Sequence, residues 1–235
     1  MADGVAIIYL HRIGRGLHVA EVLIKQLKPD FYELDLPDDR LKHYSTKSVI
    51  SIDTETRGLN LNRDRLCLVQ ICDDEGVVSL VRYKSKLEPG KQVGANLKKL
   101  LEDKKILKLF HYARFDISVL KHHLGANTTP VFCTKIASKL VRTYTDRHSL
   151  KDLVKETLGK ELDKSDQMSD WARDDLTDSQ LEYAANDVRV LIPIYERIRT
   201  LLEREHRLEL ALRVCECLPV VCDLDMSGFT NVFEH

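Results

Sequence analysis

From residue 49 onward the chain alternates β-branched apolar residues with polar ones, Val49-Ile-Ser-Ile-Asp53 running into Thr-Glu-Thr. That period of two predicts a strand near Val49 to Asp53. Further apolar runs predict strands at Leu66–Cys72, Val77–Tyr83 and Ile106–Phe110. Helical spacing predicts helices at Gly94–Leu101, at Ala113–Leu124 and after Thr134. Thr177 followed by Gln180 forms a capping-box pattern and sets the start of a helix that carries Tyr183. Pro193 is expected to kink that helix downstream. Three consecutive strands followed by alternating helices predict an α/β fold, a mixed β-sheet flanked by helices with a helical C-terminal part.

The same pattern places chemistry. Asp53 and Glu55 are two apart at a strand end, so they project from one face. Tyr183 and Asp187 are four apart and share one face of their helix. Asp116 follows the strand ending at Phe110 and lies near the start of the next helix, from where it closes the cluster. Four carboxylates together repel one another, and a hard cation, Mg²⁺ or Mn²⁺, is their natural complement. Two such ions, about 4 Å apart, would serve phosphodiester cleavage by activating a water and stabilising an in-line displacement. Tyr183 would orient that water or help take its proton.

Asp53-Thr-Glu55, Phe110-His-Tyr-Ala-Arg-Phe-Asp116 and Glu182-Tyr-Ala-Ala-Asn-Asp-Val188 resemble the three motifs of the DEDDy branch of 3′-5′ exonucleases, to which ribonuclease D belongs. Leu162-Asp-Lys-Ser with Ser169-Asp-Trp171 is similar to ribonuclease D in particular. Arg63-Asp-Arg-Leu-Cys-Leu-Val-Gln70, the run Val131 to His148 and the ending Asp225-Met-Ser-Gly-Phe resemble the nanoRNase C family, compact ribonuclease D-like enzymes that degrade very short RNA. The resemblance covers about Phe31 to His235. It implies the ribonuclease H-like exonuclease fold over residues 31–235, metal ligation by Asp53, Glu55, Asp116 and Asp187, and water orientation by Tyr183. It further implies ring-like homo-oligomers, and no extra C-terminal nucleic-acid-binding domain of the larger ribonuclease D type. Residues 1–30 lie outside it and read as an extension that packs on the domain or on a neighbouring subunit.

Composition narrows the picture. A chain of 235 residues, 43% hydrophobic, can bury one sizeable core, and no apolar run is long enough to cross a membrane. Lys plus Arg (36) nearly equals Asp plus Glu (37), which suits a short substrate better than a long duplex. Six cysteines without a secretory signal predict reduced thiols in a cytoplasm. The spacing of Cys215, Cys217 and Cys222 matches no common zinc module.

Substrate contacts are expected at Thr54, Gly58, Leu59, His111, Arg147, His148, Lys164 and Gln167. Leu59 either wedges between bases, as a leucine here does in related exonucleases, or is a core residue of the turn. His111 either donates to a sugar or phosphate or caps its strand. Lys135, Lys139 and Arg142 at helical spacing read as a basic face opposite Ile136, Leu140 and Val141; phosphate or subunit contact competes there with plain solvation. Trp171 belongs to a substrate rim or anchors a loop in the core. The resulting expectation is a metal-dependent 3′-5′ exoribonuclease that releases nucleoside 5′-monophosphates from short RNA, diribonucleotides above all. Its rivals are a broader trimmer of RNA 3′ ends or single-stranded DNA, and a binding module that keeps the fold without the chemistry.

Overall fold

In the computed structural model, residues 27–87, 93–163, 166, 168–229 and 232 are described. Six strands form one mixed sheet: β1 (Asp30–Glu33), β2 (Val49–Thr56), β3 (Leu66–Asp73), β4 (Val78–Arg82), β5 (Leu107–Phe110) and β6 (Val131–Cys133), in the order β1-β4-β3-β2-β5-β6. β2, β3 and β4 make an antiparallel meander, while β1, β5 and β6 add to it in parallel. Between and after the strands run helices α1 (Asp38–Tyr44), α2 (Ala95–Glu102), α3 (Ala113–Leu124), α4 (Thr134–Val141), α5 (Leu150–Leu158), α6 (Asp178–Arg189), α7 (Leu191–Arg204), α8 (Leu208–Glu216) and α9 (Leu218–Met226). The mixed sheet flanked by helices and the helical C-terminal part are as the residue pattern predicts.

β3 is buried along its whole length, which explains why it reads as a continuous apolar run rather than an alternating one. Its register to β2 pairs Asp53 with Gln70 and Ser51 with Cys72, so these residues share the face covered by α6. That face holds Leu68, Cys72, Val78 and Leu80 against Ala184, Ala185 and Val188. Ser51 Oγ ties the two layers, donating to Val188 O at 2.8 Å. The opposite face carries Ile50, Ile52, Val69, Ile71 and Val81 into the main core.

The capping box at Thr177 and Gln180 is present and sets the first turn of α6. The kink expected at Pro193 is instead a break: α6 ends at Arg189, Val190 separates the helices, and Pro193 sits in the first turn of α7. A proline there lacks only an amide whose partner belongs to the preceding turn, so it starts a helix at little cost. β1 and β6 are additional to the predicted strands. Met1 to Gln26, most of the segment that reads as an N-terminal extension, lie outside the described residues. No helix among the described residues is long and apolar enough to cross a membrane.

Candidate active site

Both α3 and α6 pack against β2. Asp53 and Glu55 leave its α6 side, half-buried and still reached by solvent. Thr54 points the other way, and its hydroxyl donates to Asp116 Oδ1 at 2.7 Å. Thr54 is 6% exposed, and its side chain serves the acid cluster. Asp116 lies in the first turn of α3 and is buried. From the third direction α6 contributes Tyr183 and Asp187, 8% and 9% exposed, with the phenol hydrogen-bonded to the carboxylate.

The electrostatics show how closely these groups share one space. Burial, then the charges of Asp116, Glu55 and Asp187, raise the Asp53 carboxyl well above the usual range. Burial, Asp187 and Asp116 do the same to Glu55. Burial pushes Asp116 up to about 7 although the Thr54 hydroxyl opposes it. The Tyr183 phenol is raised by burial and by Asp187, Glu55 and Asp53. A set of crowded carboxylates that resist ionisation together is chemically matched to hard divalent cations. Elsewhere, His43, Asp73 and Glu75 bring ligand atoms within 4.8 Å of one another. The Lys47 ammonium already stands there, 2.6 Å from Glu75 and 3.4 Å from Asp73, which makes that group an ion-pair network.

Tyr183 is held from behind by Trp171, whose ring centroid lies 6.0 Å away. Trp171 is 3% exposed, so it anchors its loop in the core and is not part of an open rim. Two arginines clasp that loop to the sheet: Arg82 donates to Trp171 O at 2.7 Å and to Arg173 O, and Arg65 donates to Ala172 O at 2.9 Å. Gln180 of the capping box adds a bond to Ser169 Oγ at 3.0 Å. Behind Asp116, α9 grips α3 through Asp225, which receives Nε and Nη2 of Arg114 at 2.5 Å each. None of these supports follows from motif spacing.

The expected substrate residues separate into three groups. Leu59 is 82% exposed, which rules out the core position. Gly58 beside it leaves no room for a side chain, since a Cβ would stand 2.4 Å from Asp64 Oδ2. His111 Nδ1 lies 2.9 Å from Thr134 Oγ1, and His148 Nδ1 lies 2.9 Å from Ser138 Oγ. Arg147 keeps its side chain exposed. Lys164 and Gln167 lie outside the described residues. Arg142 corrects the basic face: it is 2% exposed and pairs with Glu156, leaving Lys135 and Lys139. Lys135 rests 4.2 Å over the exposed ring of Tyr112, which occupies a left-handed conformation at φ 74° before α3.

Residues 31–203 match the family model described as 3′-5′ exonuclease. The chain belongs to the 3′-5′ exonuclease family. Within it, this exonuclease chain is of the ribonuclease D and NrnC type. Brucella melitensis NrnC, in structures bound to pGG and with bound Mg²⁺, superposes with a TM-score of 0.81 at 43% identity, covering 89% of this chain and 100% of that one. Ribonuclease D of Gluconacetobacter diazotrophicus is 34% identical over 160 residues, 68% of this chain and 39% of that protein. DNA polymerase I of Aquifex aeolicus is 37% identical over 163 residues, 69% of this chain and 25% of that protein. The chain therefore spans well under half the length of these two relatives.

Proposed function

We propose that this exonuclease is a metal-dependent exoribonuclease that removes nucleoside 5′-monophosphates from the 3′ end of short RNA, with diribonucleotides as favoured substrates. The observation that carries the reading is the convergence of Asp53, Glu55, Asp116 and Asp187 with Tyr183 in one site from three elements. The four acids would hold two Mg²⁺ or Mn²⁺ ions, whose chemistry is to activate a water and neutralise charge at phosphorus. Around them the chain's own groups position the reaction. Thr54 fixes Asp116. Tyr183, braced by Trp171 and bonded to Asp187, orients the attacking water. Leu59, which is exposed, packs against the terminal bases without reading sequence.

Short length is favoured by three features: the near-neutral charge balance, the match over 89% of this chain to NrnC, whose structure holds pGG, and the exposed Leu59 as an apolar wedge. His111, Arg147, His148, Lys164 and Gln167 are the proposed sugar and phosphate contacts, the last two by resemblance alone. Assembly into a ring-like homo-oligomer and residence in a reducing cytoplasm complete the proposal; the six cysteines are all free thiols.

The test is Mg²⁺-dependent cleavage of a 5′-labelled diribonucleotide by wild type, Asp53→Asn and Tyr183→Phe. Asp53→Asn should abolish cleavage while the fold, read by circular dichroism, persists. Equal cleavage by wild type and Asp53→Asn would refute the reading. A wild type that shortens long RNA or single-stranded DNA in preference would move it to a general trimmer.

A further inference from the structure

Gln70 stands in the middle of β3 with its side chain fully buried, and neither Oε1 nor Nε2 has a hydrogen-bond partner among the described residues. A buried carboxamide with both ends unmet is costly, and natural cores rarely keep one without a use. Its position indicates the use. The β2–β3 register sets Gln70 directly opposite Asp53, so the two side chains rise side by side from the α6 face of the sheet, with Cβ atoms about 4.5–5.5 Å apart.

Most of the other neighbours on that face are apolar or already committed. Across β4 the register partner is Leu80, and along β3 the same-face neighbours are Leu68 and Cys72. Ala184, Ala185 and Val188 of α6 close the layer with apolar surface. Ser51 is committed to Cys72 O and Val188 O, at 3.1 and 2.8 Å. Arg82 is committed to the carbonyls of Trp171 and Arg173. The Asp53 carboxylate, directly opposite, is nearer than that of Glu55, which lies on the diagonal opposite Leu68.

We propose that Gln70 is a positioning residue for Asp53: its Nε2, without a partner here, stands beside the Asp53 carboxylate to donate to it and so hold it in the orientation that ligates the cation. This rests on the reading of Asp53 as a ligand. The physical logic is that of an outer-layer donor: a carboxylate that must bind an ion is oriented by an amide that cannot itself ionise, and loss of such a donor typically weakens metal binding about 10- to 100-fold. The structural cost of a dry amide is then accepted for the sake of the site, in the way that strained or unsatisfied groups collect at functional positions.

The experiment uses the full chain and reads Mg²⁺ binding directly, by calorimetric titration, beside melting temperatures in EDTA and in excess Mg²⁺. Gln70→Leu and Gln70→Met remove the amide at similar volume. Both should melt in EDTA at or above the wild-type temperature, bind Mg²⁺ at least tenfold more weakly, and gain less from excess Mg²⁺. At saturating Mg²⁺ the KM for a diribonucleotide should stay at the wild-type value, since the amide does not touch substrate. Wild-type Mg²⁺ affinity in either folded variant would overturn the proposal. So would melting in EDTA well below wild type with unchanged affinity, which is the mark of a purely structural glutamine. Asp53→Asn separates the two layers of the argument: if it leaves Mg²⁺ affinity intact, the ligand reading fails; if it abolishes binding while both Gln70 variants bind normally, only the positioning role fails.

Discussion

Gly58 offers the sharpest test of how Leu59, the proposed substrate wedge, is held. Replacing it by alanine would set a Cβ 2.4 Å from Asp64 Oδ2 and 2.9 Å from its Cγ. The Asp64 carboxylate is not loose: Asn60 N–H donates to Oδ2 at 3.0 Å, and Arg63 grips both oxygens at 2.7 and 2.8 Å. Thr56 Oγ1 also donates to Gly58 O at 2.6 Å, so the backbone cannot simply swing away. Arg63 is exposed and follows at little cost, but the Asn60 bond is lost, worth about 1–1.5 kcal/mol. With the overpacking added, Gly58→Ala should cost about 2 kcal/mol, within the usual range of about 1–3 for such insertions. For a chain of this size that is a fall in Tm of about 4–8 °C. The displaced loop carries Leu59, so kcat/KM on a diribonucleotide should fall at least as far as in Leu59→Ala. Leu59→Ala itself should leave stability within about 0.5 kcal/mol of wild type and lower kcat/KM about tenfold, the scale of one lost stacking contact. Differential scanning calorimetry with initial-rate kinetics makes the comparison. A Gly58→Ala protein that melts and cleaves like wild type would refute the steric argument.

Thr54→Val removes the 2.7 Å bond to Asp116 at constant shape; it should cost about 1–3 kcal/mol of stability and raise the Mg²⁺ concentration needed for half-maximal cleavage, read by titration, whereas an unchanged Mg²⁺ requirement would contradict the positioning role. Arg82→Met leaves the carbonyls of Trp171 and Arg173 without their charged donor, at about 2–4 kcal/mol. Because Trp171 is the single tryptophan, a red shift in its emission together with a lower kcat would report its loosening against Tyr183, and wild-type emission and kcat would exclude it. Lys108 is fully buried and donates to Asp103 O and Thr129 O at 2.7 and 2.6 Å; burial lowers it from 10.5 to about 8. A base held low in the fold penalises folding while charged, and the penalty, on the order of 3 kcal/mol, is fully present below pH 8 and relieved as pH rises from 8 to 10.5. Wild type should therefore gain stability relative to Lys108→Met across that window in urea unfolding, and a gap that stays flat with pH would show Lys108 titrating normally.

Much of this was legible in the residue pattern because periodicity reports burial. The β2 alternation sets Asp53 and Glu55 on one face, so its acids stood out; α3 was bounded by a strand before it and Gly125 after it. β1 and β6 are only four and three residues long and owe their existence to parallel pairing with β4 and β5, which no local signal carries. Arg142 was misplaced because helical spacing was extended one residue too far: α4 ends at Val141, and Arg142 at ψ 59° turns inward to Glu156. Leu59 shows the complementary limit, since composition alone does not separate a core leucine from one that is 82% exposed. Thr54, Gln70 and the Arg65–Arg82 clasp depend on sheet register and on a loop brought back over the sheet, information held in tertiary packing rather than in spacing.

The account turns on short RNA as substrate and on the acid cluster with Tyr183 as the catalytic device. The direct measurement is the initial rate of Mg²⁺-dependent cleavage on 5′-labelled RNAs from two to about seven nucleotides, wild type beside Tyr183→Phe. A rate that peaks at the dinucleotide in wild type and collapses in Tyr183→Phe is the predicted result. Faster shortening of the longer RNAs, or a Tyr183→Phe protein as active as wild type, would contradict it.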